Sequence, residues 1–287
     1  MNRLKYLLQF IFIFFLLLIF RLIGIKFSRF LSKKIFTLLG PLIRSNKISY
    51  LNLSNVFSNF DDSHKKKIIK NMWSNYGKIF AEYVFMKNFN KKSYFEKNVI
   101  IENFDELIKI QENRAPVIFI SGHFSNFELM AMSIEKSGIN LAAVYRPLNN
   151  IFLNPLMEKI RKKYICKNQI KKGLAGTKEL LKNFKMGNSV ALMIDQRVSE
   201  GIRSNFFNKK ALTTTIPAQF VKKFNTKIVP VYVERLKNDK FKITFYKTVM
   251  FDKHDSLENI TLQLNKILEK MILKNPDQWI WTHNRWK

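Results

Sequence analysis

The sequence predicts an α/β domain tethered by an N-terminal membrane helix, and three observations carry that prediction. Tyr6 to Ile25 is apolar apart from Gln9 and Arg21. From about Val99 onward, short apolar runs alternate with helical patterns, the mark of strands and helices in turn. No repeat or low-complexity linker interrupts the chain after about residue 50, so the rest reads as one domain. At 287 residues there is room for one large domain plus a membrane element. The expected division is 1–45 as membrane anchor and interfacial helix, and 46–287 as the domain.

Tyr6 to Phe20 carries no charge, and after Arg21 the run resumes as Leu22-Ile23-Gly24-Ile25. As a helix this stretch of about 20 residues measures roughly 30 Å, the thickness of a hydrocarbon core. A cleaved signal peptide would be followed by a small-x-small site, whereas Lys26-Phe27-Ser28-Arg29-Phe30 follows here, so a retained anchor is expected. Arg21 leaves open a shallow interfacial helix in place of a span. Positive charge is denser after the segment (Arg21, Lys26, Arg29, Lys33, Lys34, Arg44) than before it (Arg3, Lys5), which places the domain on the cytoplasmic face of an inner membrane. Leu31 to Ile43, with Gly40-Pro41 expected to interrupt it, reads as a second, interfacial element.

The remaining elements follow in order. Asp61-Asp62-Ser63 offers cap chemistry for a helix to about Phe85, with Ile68, Ile69, Met72, Trp73, Tyr76, Ile79, Phe80 and Tyr83 three and four apart. Val117 to Ile120 reads as a buried strand, Ser125 to Ser137 as a helix closed by Gly138, and Leu141 to Tyr145 as the next strand. Helices near 152–164 and 177–185, a strand over 189–194 and a loop through Lys210 come next. A helix near 215–224, strands over 227–234 and 240–246, and a helix over 256–273 complete the pattern.

The formal net charge of +29 points to acidic partners: anionic headgroups, phosphorylated substrates or an acidic protein. Heavy use of Lys, Asn, Ile and Phe is also what an AT-rich genome gives without selection for binding. No zinc-finger spacing, RNA-binding aromatic signature or basic-zipper heptad is present, so nucleic acid is not an expected partner. The one cysteine, Cys166, rules out intrachain disulfides, fits a reducing compartment and reads as a packing side chain. Four His without ligand spacing and no Cys pair give no metal site, and no cofactor is expected.

The strongest local signal is Ser121-Gly122-His123-Phe124-Ser125-Asn126-Phe127-Glu128. Five positions apart on one helix, His123 and Glu128 would point about 140° away from each other. They meet only if His123 lies in the loop and Glu128 in the first or second turn after it. A carboxylate on one imidazole nitrogen fixes the tautomer and makes the other a base fit to deprotonate an alcohol. Gly122 would let the backbone turn and a substrate approach. Arg146 stands where the strand Leu141–Tyr145 ends, a fork-shaped cation suited to phosphate or carboxylate. Asp195-Gln196-Arg197 follows another strand end. Open α/β sheets bind ligands beyond the carboxyl ends of their strands, where all three clusters fall. The bland alternative is an Arg146–Asp195 salt bridge between loops.

The ordered set GHFSNFE, VYRPLNN, ALMIDQR, SNFFNKKALTTT and PDQWIWTHNRWK resembles the late acyltransferases of lipid A biosynthesis over nearly the whole chain. That resemblance implies a glycerol-phosphate-acyltransferase-like sandwich around a mixed sheet. It implies transfer of a fatty acyl chain from acyl carrier protein to a hydroxyl of the Kdo-lipid A precursor, a phosphorylated glycolipid. It also implies His123 as catalytic base, Glu128 as its acidic partner, and Asn126, Arg146, Asp195, Gln196 and Arg197 at the substrates. Asn208 stands where a Gly usually ends the Phe-Phe-Gly loop, and Asn149 replaces a common Asp, which puts loop shape in question. Trp279, Trp281, His283, Arg285 and Trp286 read as packing and interfacial anchoring. Two alternatives stay open on the sequence: acylation of another membrane lipid, whether glycerophospholipid or glycolipid, and a non-enzymatic membrane adaptor of the same fold.

Overall fold

Asp61 caps the helix predicted from the Ile68, Met72 and Trp73 spacing: its carboxylate accepts from the His64 N–H and starts the helix at Asp62. In the computed structural model, which describes residues 2–287, this helix is α3 (Asp62–Glu82), after α1 (Asn2–Ile43) and α2 (Asn46–Val56). α1 is long and apolar enough to cross a membrane. It breaks at Gly24, where φ of 75° and ψ of 165° are open to a residue without Cβ. Gly40-Pro41 does not interrupt it; Gly40 is packed on the Trp73 ring inside the helix.

The half of α1 after Gly24 docks on α3. Ser32 Oγ donates to Gly77 O at 2.6 Å, and a Cβ on Gly77 would lie 2.4 Å from Ser32 O, so the two helices cross at backbone contact. The half before Gly24 turns the stripe Tyr6, Phe10, Ile13, Leu17 and Phe20 inward and leaves Leu4, Leu8, Phe12, Phe15 and Leu22 exposed. Phe20 is fully buried, edge-on to Phe80 of α3.

α4 (Met86–Asn90) and α5 (Lys92–Asn98) lead into β1 (Val99–Glu102) and α6 (Phe104–Asn113). Then come β2 (Ile118–Ser121), α7 (Glu128–Lys136), β3 (Leu141–Tyr145), α8 (Leu153–Tyr164), β4 (Asn168–Lys171), α9 (Leu174–Lys185) and β5 (Ser189–Met193). β6 (Ile202–Phe206) and β7 (Lys209–Thr213) form a hairpin, followed by α10 (Ile216–Phe224), β8 (Ile228–Arg235), β9 (Phe241–Phe245) and α11 (Leu257–Lys274). Among the described residues the main sheet is mixed, in the order β1-β9-β8-β2-β5-β3-β4, with only β8 and β9 antiparallel.

The pleat sends alternate residues to opposite faces. Ile118 and Ile120 of β2, with Val190 and Leu192 of β5, pack under α3, α9, α10 and α11. Phe119, Ala143, Ala191 and Val231 pack under α6 and α7. The result is a helix–sheet–helix sandwich, as the resemblance implied. β4 and the β6–β7 hairpin were not expected; both are short and polar on one side, and the hairpin occupies the predicted loop. Its turn is made by Phe207 and Asn208 at φ of 50° and 57°. Asn tolerates this left-handed region, so Asn208 preserves the turn in the place of a Gly.

Candidate active site

β2 and β5 are parallel neighbours in register, with Ser121 opposite Met193. Two residues beyond each strand end stand His123 and Asp195, and the register brings them together. Asp195 Oδ1 lies 2.8 Å from His123 Nδ1, and Oδ2 accepts the His123 main-chain N–H at 2.8 Å. The Trp279 indole N–H also donates to Oδ2, at 2.9 Å. Asp195 is fully buried. Burial alone would raise its pKa. The His123 imidazole, its ring and main-chain hydrogen bonds, and the Trp279 indole instead hold the carboxyl down at about 2. A carboxylate on Nδ1 assigns the imidazole proton to that nitrogen and leaves the Nε2 lone pair as the free base.

Gly122 serves this pairing. A Cβ there would sit 2.9 Å from the Phe124 ring and 3.2 Å from Asp195 Cβ, so a larger residue would push the carboxylate away. Ser125, buried and at φ of 42°, bends the loop back before α7 begins.

That bend overturns the expected contact between His123 and Glu128. Both line one cavity, but Glu128 is the first residue of α7 and its carboxylate turns to α8. It accepts from Arg161 Nε at 2.8 Å, lies 2.6 Å from Arg161 Nη2, and takes the Tyr83 hydroxyl. Asp195 occupies the place on the imidazole that sequence spacing assigned to Glu128.

The cavity holds about 320 Å³ beyond the strand ends. Met130, Ala131, Ala143, Ala191 and Met193 give it an apolar wall, and Arg146, Arg161, Lys172 and Gln196 also line it. Arg146 and Gln196 thus line the same cavity as His123. Asn126 and Arg197 do not: the buried Asn126 amide donates to Glu82 Oε2 at 2.8 Å, and the Arg197 N–H donates to His283 Nε2 at 2.9 Å. The alternative Arg146–Asp195 bridge is replaced by the pairing of Asp195 with His123 and Trp279.

Sequence reasoning missed three participants. Trp279 reaches Asp195 across 84 positions, Arg161 reaches Glu128 across 33, and Tyr83 reaches Glu128 across 45. The expected interfacial anchoring of the C-terminal tryptophans is corrected as well. Trp279 and Trp281 are buried and packed edge to face at 4.7 Å, and buried Arg285 donates to Leu212 O and Thr213 Oγ1. Cys166 is buried, and burial pushes its thiol well up from the ordinary range, as suits a packing residue.

Comparison with known proteins agrees with this architecture. The family profile described as bacterial lipid A biosynthesis acyltransferase matches residues 1–287. The chain is similar to the lipid A biosynthesis palmitoleoyltransferase of Escherichia coli (strain K12), 25% identical over 268 residues that cover 90% of this chain and 84% of that protein. It is also similar to the lipid A biosynthesis lauroyltransferase of the same strain, 25% identical over 262 residues, with 85% and 79% covered. The lipid A biosynthesis acyltransferase of Shigella flexneri matches at 25% over 268 residues, with 90% and 84% covered. The chain belongs to the bacterial lipid A biosynthesis acyltransferase family and is an acyltransferase.

Proposed function

We propose that the protein moves a fatty acyl chain from the thioester of acyl carrier protein to a hydroxyl of a Kdo-bearing lipid A precursor at the cytoplasmic face of an inner membrane. The observation that carries the reading is the His123–Asp195 pair at the edge of a cavity with an apolar wall and cationic lining. Nε2 of His123 takes the proton of the acceptor hydroxyl while its oxygen attacks the thioester carbonyl. The tetrahedral intermediate collapses, the C–S bond breaks, and the imidazolium returns the proton to the leaving thiolate. Asp195 keeps the proton on Nδ1 throughout and stabilises the transient imidazolium. Glu128 acts through Arg161: it holds that guanidinium in the cavity wall, where Arg161, Arg146 and Lys172 suit a phosphate or a developing oxyanion. The relatives' names support a lipid A-type acceptor, and the positive charge after the anchor supports the cytoplasmic face and an acidic carrier as donor.

The test incubates wild type, His123→Ala, Asp195→Asn and Glu128→Gln with carrier protein charged with mixed acyl chains and a Kdo-lipid A precursor, read by mass spectrometry. Wild type should add one acyl chain. His123→Ala and Asp195→Asn should each lose about 10²–10⁴ in kcat, the usual worth of a positioned base, and Glu128→Gln chiefly in KM. A silent Asp195→Asn beside a Glu128→Gln as inactive as His123→Ala would return the dyad to Glu128. Thioester consumed without acylation of this acceptor would move the assignment to another membrane lipid. No transfer to any lipid would bring the adaptor reading forward.

A further inference from the structure

The chain between β3 and α8, which begins with the cavity-lining Arg146, is held against the long apolar helix α1. Asn150 is buried there, and its amide donates to Tyr6 O of α1 at 2.9 Å. Its carbonyl accepts from Phe152 N at 3.0 Å and Leu153 N at 3.2 Å, so one side chain both starts α8 and clamps the loop to α1. Phe152 lies 6.2 Å from Phe10, one helical turn on from Tyr6. Beside this clamp the loop leaves Leu148 and Ile151 exposed, at 39% and 53%, and Leu174 at the start of α9 is 86% exposed. Leu4, Leu7, Leu8 and Ile11 face outward on the α1 segment that the loop touches.

β3 and β4 are parallel to β2 through β5, so the segments after β3 and β4 lie at the same end of the sheet as His123. Arg146 and Lys172 stand next to them and also line the cavity. An exposed apolar surface next to cavity-lining cations, and tied to a long apolar helix, has the composition of a surface that enters a leaflet of anionic lipid.

We propose that Leu148, Ile151 and Leu174 form a membrane-inserted lip, clamped to α1 by Asn150, that opens the His123 cavity directly to the lipid leaflet. The partner surface is a phospholipid bilayer, with Arg146 and Lys172 meeting its phosphates. The inference deepens the proposed function, because an acceptor with several acyl chains would then reach His123 by lateral movement while its chains stay in hydrocarbon. Full extraction into water would expose every methylene of those chains to solvent.

The lip is tested on the full-length protein in vesicles of phosphatidylethanolamine and phosphatidylglycerol. Ile151→Cys and Leu174→Cys are labelled with an environment-sensitive fluorophore and quenched by spin-labelled lipids. Buried Cys166 stays unlabelled, which a mock-labelled wild type verifies. Met186→Cys and Met250→Cys are controls, at exposed positions beside the opposite strand ends. Lip probes should be quenched about threefold more than controls, with blue-shifted emission, as for side chains set into the headgroup–acyl boundary. Lip probes that report water as the controls do would overturn the proposal. A second arm compares acyl transfer by Leu148→Asp/Ile151→Asp with acceptor in vesicles and in mixed detergent micelles. A loss of about tenfold in kcat/KM confined to vesicles is expected, and equal rates in both would count against the lip. A wild type whose lip inserts but which acylates nothing would remove the acyl-transfer reading and leave the lip.

Discussion

At the residue scale the site depends on how a buried carboxylate is held. Asp195 receives the Trp279 indole N–H and two contacts from His123, and a hydrogen bond to a charged group is worth about 1.5–3 kcal/mol. Trp279→Phe keeps most of the ring and removes that donor. It should lower kcat about tenfold with the KM for thioester unchanged, whereas a role in packing alone would move stability and spare kcat. His123 was legible because Gly122, His123 and the preceding strand are contiguous in sequence. The partner was not: Asp195 lies 72 positions away, and only the β2–β5 register selects it over the nearby Glu128.

His283 is the second titrating group close by. Burial, reinforced by the Arg285 cation against the opposing Asp195 carboxylate, pushes its imidazole down to about 4. The unfolded chain then takes up a proton near pH 6.5 that the folded chain refuses until about pH 4. Stability from this group is therefore complete above pH 6.5 and falls as the pH drops toward 4. Partial exposure keeps the loss to about 1–2 kcal/mol. Urea unfolding between pH 7 and 4 should show that slope, and His283→Gln, which can still accept from Arg197, should flatten it.

At the element scale a buried ion cluster ties α1 to the loop between β2 and α7. Glu82, at the end of α3, accepts from Arg29 of α1 at 2.7 Å, from Arg235 of β8 and from Asn126. Burial would raise the Glu82 pKa, but Arg235 and Arg29 hold it below the usual carboxylate range. Glu82→Ala strands two guanidiniums in the core and should cost about 3–5 kcal/mol in thermal unfolding. Glu82→Gln, which keeps volume and an acceptor, should cost less and retain measurable acyl transfer. None of this was legible, since Arg29, Glu82, Asn126 and Arg235 are spread over three elements and a loop. The elements themselves were: the α3 stripe, β2, β3, β5, β8, β9 and α11 fall within a few residues of their predicted places. The hairpin and β4 escaped because short, half-polar strands look like loop until a partner strand is present.

At the scale of the whole molecule, charge sets association. With a net charge of +29, binding of an acidic carrier protein should be steered and then screened by salt. Raising ionic strength from about 0.05 to about 0.5 M should raise the KM for the acyl carrier about tenfold and leave kcat little changed, measured with acceptor held saturating. A salt-independent KM would assign the surplus lysines to composition and not to docking.

The apolar N-terminus, the alternation of strands and helices and the Gly122-His123 turn are local patterns, and burial of apolar periodicity is the term that local sequence encodes. By itself the sequence therefore determined an α/β domain behind a long apolar N-terminal helix, the turn that carries His123, and the acyltransferase family. Tertiary structure alone decided that Asp195, held by Trp279, meets His123, that Glu128 pairs with Arg161, and that Asn150 joins the loop after β3 to α1. Those pairings depend on strand register and on helix docking, which join residues distant in the chain and leave no spacing for a sequence to display.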